Sequence, residues 1–196
     1  MGRAAKQRRG VLRRSQPGAR MPAIGIDVGG VLVDRVGENS DTSFFGDRPM
    51  DTPMVAGAHD AVAAVLELFA GRVYIVSKAG PKIAELSRKW LALHGLTGPD
   101  AIPTEHVHFV RERVDKAQVC RQLGITHFVD DRADVLAHLD SVDHRYLFLG
   151  GLGAHEPPPH SDAEVVRVES WARLTGILAG QLAASATAGD RAANRR

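Results

Sequence analysis

Four short stretches carry the groups whose types and spacing point to chemistry. Asp27 lies in IGIDVGGVLVD (24–34), Ser77 in YIVSK (74–78), Lys116 in VDKAQVC (114–120), and the pair Asp130-Asp131 in FVDDRADV (128–135). Phosphoryl transfer needs such a set: a carboxylate as nucleophile or metal ligand, a hydroxyl and a lysine to hold a phosphate, and further carboxylates for a hard cation. Gly29-Gly30, directly after Asp27, suit the same task, because a backbone without Cβ atoms turns sharply and approaches an anion closely. Each group alone has a plainer reading: Asp27 as a turn residue, Ser77 as a cap, Lys116 as a solvated helix lysine. Their joint placement decides between the two.

That placement follows from the elements around them. Ile24, Ile26 and Val28 form an apolar, β-prone run ending at Asp27 and Gly29-Gly30, after which Val31-Leu32-Val33 re-enters the interior and Asp34 closes the stretch. A polar segment, 35–57, contains Phe44-Phe45, which either cover the site or belong to the core. Ala58, Ala61, Val62, Val65, Leu66 and Phe69 recur at helical spacing until Gly71. Residues 72–76 read as the second strand, ending at Ser77, and Pro81 opens a helix closed by Gly95. A third strand spans 106–110, and Asp115 is the expected N-cap of a helix stopped by Gly124. A fourth strand over 126–130 leads to Asp130-Asp131, then come a short helix with Val135, Leu136 and Leu139, and a fifth strand over 146–149. Trp171, Leu174, Ile177 and Leu178 predict a terminal helix. Strands alternating with helices, several apolar throughout, predict an α/β three-layer, Rossmann-like domain with a parallel five-stranded sheet and helices on both faces. All the candidate groups then meet at one sheet edge, where open α/β sheets bind ligands.

The four stretches, in this order, resemble the motifs of the haloacid dehalogenase (HAD) superfamily, over about residues 23–150. The family's first motif, Asp-x-Asp-Gly-Thr after the first strand, reads here Asp27-Val28-Gly29-Gly30-Val31. Its second motif matches Ser77, its third Lys116, and its fourth, an acidic pair, Asp130-Asp131. The resemblance implies that Asp27 attacks phosphorus to give an aspartyl-phosphate that water hydrolyses. It implies Mg²⁺ held by Asp27, the carbonyl of Gly29 and Asp130, with Asp131 adjacent, while Ser77 and Lys116 hold the phosphoryl oxygens. Asp134 is a weaker candidate in the fourth motif, and Lys78 and Lys82 fit the lysine position less well. One departure bears on chemistry: Gly29 replaces the family's second Asp, its general acid and base, and Val31 replaces the Thr. General acid–base catalysis contributes about 10²–10⁴-fold. Branches without that Asp include dehalogenases and phosphonate-cleaving enzymes. Neither insertion point used by the family's large caps has room for one, which implies a small-cap or capless site open to a large substrate or covered by a neighbour in a homo-oligomer.

Composition sets the remaining expectations. The 196 residues, 44% hydrophobic and 24% charged, suit one domain with a proper core. Residues 1–20 hold seven Lys or Arg and no acid; without them the 25 basic residues fall to 18 against 23 acidic ones, a balance of −5. The arm reads as a disordered tail, or as an extension ahead of Met21, rather than as a nucleic-acid binder, since no aromatic residues interleave its charges. The domain is expected over 21–182, and the tail 183–196, mostly Ala and Arg with Ser, Thr and Gly, is expected to be disordered. His106 and His108 alternate on one strand and are read as ordinary strand residues rather than metal ligands. A lone cysteine, Cys120, and no apolar run of about 20 residues predict a cytoplasmic protein without a membrane span. The expected partner is a phosphorylated substrate, small or larger, with Mg²⁺ as cofactor.

Overall fold

Six parallel strands in the order β3-β2-β1-β4-β5-β6 form the centre of the computed structural model, which describes residues 21–34, 48–151 and 165–193. The strands are β1 (Ile24–Ile26), β2 (Val73–Lys78), β3 (Val107–Val110), β4 (His127–Asp130), β5 (His144–Phe148) and β6 (Val165–Val168). The helices are α1 (Ala58–Leu68), α2 (Pro81–Leu93), α3 (Lys116–Leu123), α4 (Ala133–Leu136) and α5 (Trp171–Ala193). The basic arm, Phe44-Phe45 and the Pro- and His-containing residues 153–161 lie outside the described residues.

From β1 the chain winds outward through β2 to β3, then returns to the other flank of β1 with β4. β1 therefore pairs with both β2 and β4, and the winding direction reverses beside it. At such a reversal the connections leave the sheet edge in opposite directions and open a crevice at the strands' carboxyl ends. Ile26 is level with Val129 on β4 and with Ile75 on β2. In that register Asp27 stands beside Asp130, and Ser77 lies one step further along β2.

Two apolar layers cover the sheet. One joins β1 and β2 to α1, α2 and α5 through Phe69, Trp90, Leu91, Trp171, Leu174 and Leu178. The other joins β4 and β5 to α3 and α4 through Cys120, Phe128, Leu136, Leu139 and Leu147. Both tryptophans are fully buried, and each indole N–H donates to a backbone carbonyl: Trp90 to Thr52 and Trp171 to Val31, both at 2.9 Å. Val31 directly follows the two glycines, so the terminal helix anchors the turn that carries Asp27.

Three sequence expectations change. The sheet has a sixth strand, β6, which the five-strand reading lacks: it is an edge strand, and only Val168 of VVRV is fully buried, so it shows no apolar run. Asp115 does not cap α3 with its side chain; its carboxylate accepts from the Glu112 N–H at 3.2 Å, closing a 3₁₀ turn, Arg113–Asp115, just ahead of the helix. Residues 183–193, read as the start of a disordered tail, continue α5, consistent with the high helix propensity of their alanines. Among the described residues no helix is long and apolar enough to cross a membrane.

Candidate active site

Lys116 is the first residue of α3 and is buried to 2% exposure, unusual for a lysine unless it is paired. Its Nζ donates to Asp27 Oδ1 and to Asp130 Oδ2, each at 2.7 Å. Asp130 is fully buried, and its other oxygen, Oδ1, accepts the Arg132 N–H at 3.0 Å. Beneath the ammonium lies the Phe128 ring, 5.6 Å from centroid to Nζ. Burial alone would weaken the ammonium, but Asp130 and then Asp27 outweigh that cost and hold its pKa above the ordinary lysine value.

Asp27, Asp130 and Asp131 are all buried, and each offers a carboxylate oxygen within 4.8 Å of the others. The Lys116 ammonium reaches two of the three, Asp27 and Asp130. Burial first, then Asp27 and Asp131, outweigh the attraction of Lys116 and push Asp130 up to about 8. The donors of the set are hard oxygens gathered at one sheet edge. That donor set fits a divalent cation such as Mg²⁺, whose charge would remove the reason for the proton on Asp130.

The two glycines divide their work. Gly30 has φ 69°, the left-handed region, whereas Gly29 is not among the residues of positive φ. A Cβ on Gly30 would collide with the Asp131 carboxylate. The turn is closed by Gly30 N–H to Val33 carbonyl (2.8 Å) and by Leu32 and Val33 N–H to the Val28 carbonyl (both 2.9 Å). Gly151, just past β5, backs onto this turn so closely that a Cβ there would lie 2.5 Å from the Gly30 carbonyl oxygen. Sequence reading missed Gly151; its only signal was a Gly-Gly pair ending a strand, repeating the pattern after β1.

Ser77 is buried near the end of β2. The remaining candidates lie elsewhere. Asp134, on α4, is outside the carboxylate group and pairs with Arg132 Nε and Nη2 at 3.0 and 3.1 Å. Although burial alone would raise its pKa, Arg132 and Arg113 bring it below the ordinary carboxylate value. Lys78 and Lys82 are exposed, unlike Lys116. His106 and His108 flank Tyr74, with ring centroids 4.4 and 6.4 Å away, and belong to no cluster of three possible ligands among the described residues.

The architecture has known counterparts. A haloacid dehalogenase-like family hydrolase from Xanthomonas campestris superposes with a TM-score of 0.54, covering 85% of this chain and 99% of its own, at 14% identity. At that identity the likeness establishes the fold, and this chain has the HAD-like α/β fold. No protein-family model matches the sequence, and no curated protein matches it either.

Proposed function

We propose that the chain is a Mg²⁺-dependent phosphohydrolase that works through an aspartyl-phosphate on Asp27. The observation that carries this reading is the buried Lys116 ammonium, 2.7 Å from both Asp27 and Asp130 at the crevice between β1 and β4. Lys116 fixes the Asp27 carboxylate in one orientation, which removes rotational freedom that attack would otherwise have to overcome. An Asp27 oxygen forms a bond to phosphorus as the bond to the leaving oxygen breaks and its electron pair departs with that oxygen. Water then attacks the phosphorus, releasing inorganic phosphate and restoring the carboxylate. Ser77 and Lys116 stabilise the equatorial oxygens while charge develops on them. Mg²⁺, held by Asp27, Asp130, Asp131 and the Gly29 carbonyl, would supply charge neutralisation between anionic nucleophile and anionic substrate.

Gly29 offers no proton to the departing oxygen, so the reading favours leaving groups stable as anions. The domain proposed over 21–182, flanked by an accessory basic arm 1–20, would act in the cytoplasm on a small or larger phosphorylated substrate, and an open site is compatible with a homo-oligomer. A screen of phosphorylated metabolites with Mg²⁺, with Asp27→Asn as the blank, tests the reading; turnover that survives in the variant overturns it. Gly29 also motivates a second reading, a catalytically silent module that binds Mg²⁺ or a phosphorylated partner. Binding without turnover across the whole screen would favour that second reading.

A further inference from the structure

On the face of the sheet covered by α3, β1 and β4 set four residues in two rows. Gly25 pairs with Phe128, and the same register, carried one step past Ile26 and Val129, sets Asp27 beside Asp130. Side chains alternate along a strand at period two, so all four positions share one face. One row holds carboxylates of the candidate site; the other holds a bare glycine and a fully buried aromatic ring. Lys116 spans both rows. Its Nζ is 2.7 Å from Asp27 Oδ1 and from Asp130 Oδ2, and it lies over the Phe128 ring, 5.6 Å from the centroid.

The glycine and the ring belong together. Gly25 is not among the glycines of positive φ, so its backbone conformation does not demand glycine. Its neighbours do: a Cβ there would lie 2.5 Å from both Cδ2 and Cε2 of Phe128, and 3.2 Å from Cδ1 of Ile125. Glycine inside a strand weakens the strand, and it marks a place where another group must come close. Here the group admitted is the ring under the ammonium.

The ring and the carboxylates hold Lys116 by different means. An ammonium has three N–H donors. Asp27 and Asp130 take two of them, and the ring centroid at 5.6 Å is beyond hydrogen-bond range. The aromatic face therefore attracts the charge without claiming a donor, and the attraction is strongest between groups shielded from water, as these are. A phosphoryl oxygen can compete with the carboxylates for N–H donors. It cannot displace a ring that is buried in the core.

We propose that Phe128 is a positioning residue for Lys116, and that Gly25 is the seat the ring requires. The ring keeps the ammonium beside Asp27 while one of its N–H groups passes to a phosphoryl oxygen. The inference rests on the phosphohydrolase reading and adds to it the group that holds its lysine in place.

The test replaces Phe128 in the full chain with mono-, di- and trifluorinated phenylalanines, which keep the ring's shape while draining the negative charge of its face. Calorimetric titration with inorganic phosphate in Mg²⁺ buffer is the readout, beside thermal melts. Phosphate affinity is expected to fall stepwise along the series, by about tenfold at the trifluorinated ring, equivalent to about 1.4 kcal/mol. Melting temperatures are expected to stay within a few degrees of wild type. Equal affinities along the series, losses that only track the melting temperature, or no phosphate binding by wild type overturns the proposal. Gly25→Ala tests the seat: it is expected to lower the melting temperature, and Phe128→Leu in the same chain to recover part of the loss. Additive losses in the double variant refute that half of the proposal. A parallel assay of aryl phosphate hydrolysis separates the two claims. Fluorine-dependent phosphate binding without Asp27-dependent turnover retains the role of Phe128 and refutes the phosphohydrolase. Turnover with equal affinities along the series does the reverse.

Discussion

Lys116→Met removes the ammonium that pairs with Asp27 and Asp130 while keeping a side chain of similar length. Its consequence follows from the geometry: Nζ sits 2.7 Å from two carboxylates, with lysine and both acids almost wholly inaccessible. Deleting one partner of a buried pair costs about 3–5 kcal/mol, because the surviving charge is left without compensation. Against a total stability of about 5–15 kcal/mol for a domain, that is a large fraction. In a chain of this size it corresponds to a fall in melting temperature of about 6–20 °C. Protons relieve part of the loss, and the sign is fixed by Asp130. Its folded pKa, about 8, lies above the unfolded value of 3.8, so the folded state holds the extra proton. Stability from that group is therefore present below about pH 4 and is lost as pH rises towards 8. The deficit of the variant should accordingly be larger at pH 8 than at about pH 6, and millimolar Mg²⁺ should raise its melting temperature more than that of wild type. Thermal melts of both proteins at the two pH values, with and without Mg²⁺, read all of this. A variant within about 1 kcal/mol of wild type at pH 8 would refute the electrostatic account of the site.

Mg²⁺ at 100 times its dissociation constant is expected to stabilise wild type by about 2.7 kcal/mol, with Asp130→Asn losing most of the shift in a thermal melt. Gly30→Ala places a side chain at φ 69° against Asp131, and should cost more than about 1 kcal/mol in urea unfolding and weaken the Mg²⁺ shift. His127 is buried with Nε2 unpartnered, and burial first, then His144, pushes it down to about 4 from 6.5. Its unfolded form binds a proton first, so stability is full above about pH 6.5 and falls by roughly 1 kcal/mol per unit towards pH 4; His127→Phe should flatten the melting profile in that window relative to wild type. Gly29→Asp, in assays of aryl and alkyl phosphates, should raise alkyl turnover most and narrow the gap between the classes; similar wild-type rates for both would mean another residue supplies the proton.

The sheet's inner strands were legible because parallel strands covered on both faces read as apolar runs, and each ends in a residue that breaks the run. Asp27, Ser77 and Asp130 were visible for that reason, and their common edge followed from topology. Lys116 was legible only through order and spacing: nothing in VDKAQVC says that this lysine is buried while Lys78 and Lys82 are not. Its burial comes from Asp27 and Asp130, 89 and 14 residues away, and long-range pairing leaves no local signature. β6 escaped for the opposite reason, since an edge strand needs few apolar residues. Asp115 misled because a side chain beside a helix start has two backbone partners in reach, and the preceding 3₁₀ turn claimed it.

Gly29 and Gly30 look equivalent in the sequence and are not. Gly30 is glycine by geometry: its φ and the space taken by Asp131 both exclude a Cβ. The turn would demand glycine there whatever the chemistry. Gly29 has no left-handed backbone to explain it. Left-handed backbone strain therefore does not account for glycine at this position, and under the proposed phosphohydrolase the consequence of the missing carboxylate is chemical. A site that supplies a nucleophile and charge stabilisation but no proton works on bonds whose leaving oxygen is already a weak base. On that argument the substitution narrows the substrates the fold can process while leaving Asp27, Lys116 and the carboxylates in place. The comparison of alkyl with aryl phosphates in wild type and Gly29→Asp puts that argument at risk, because a glycine kept only for its backbone would leave the ratio between them unchanged.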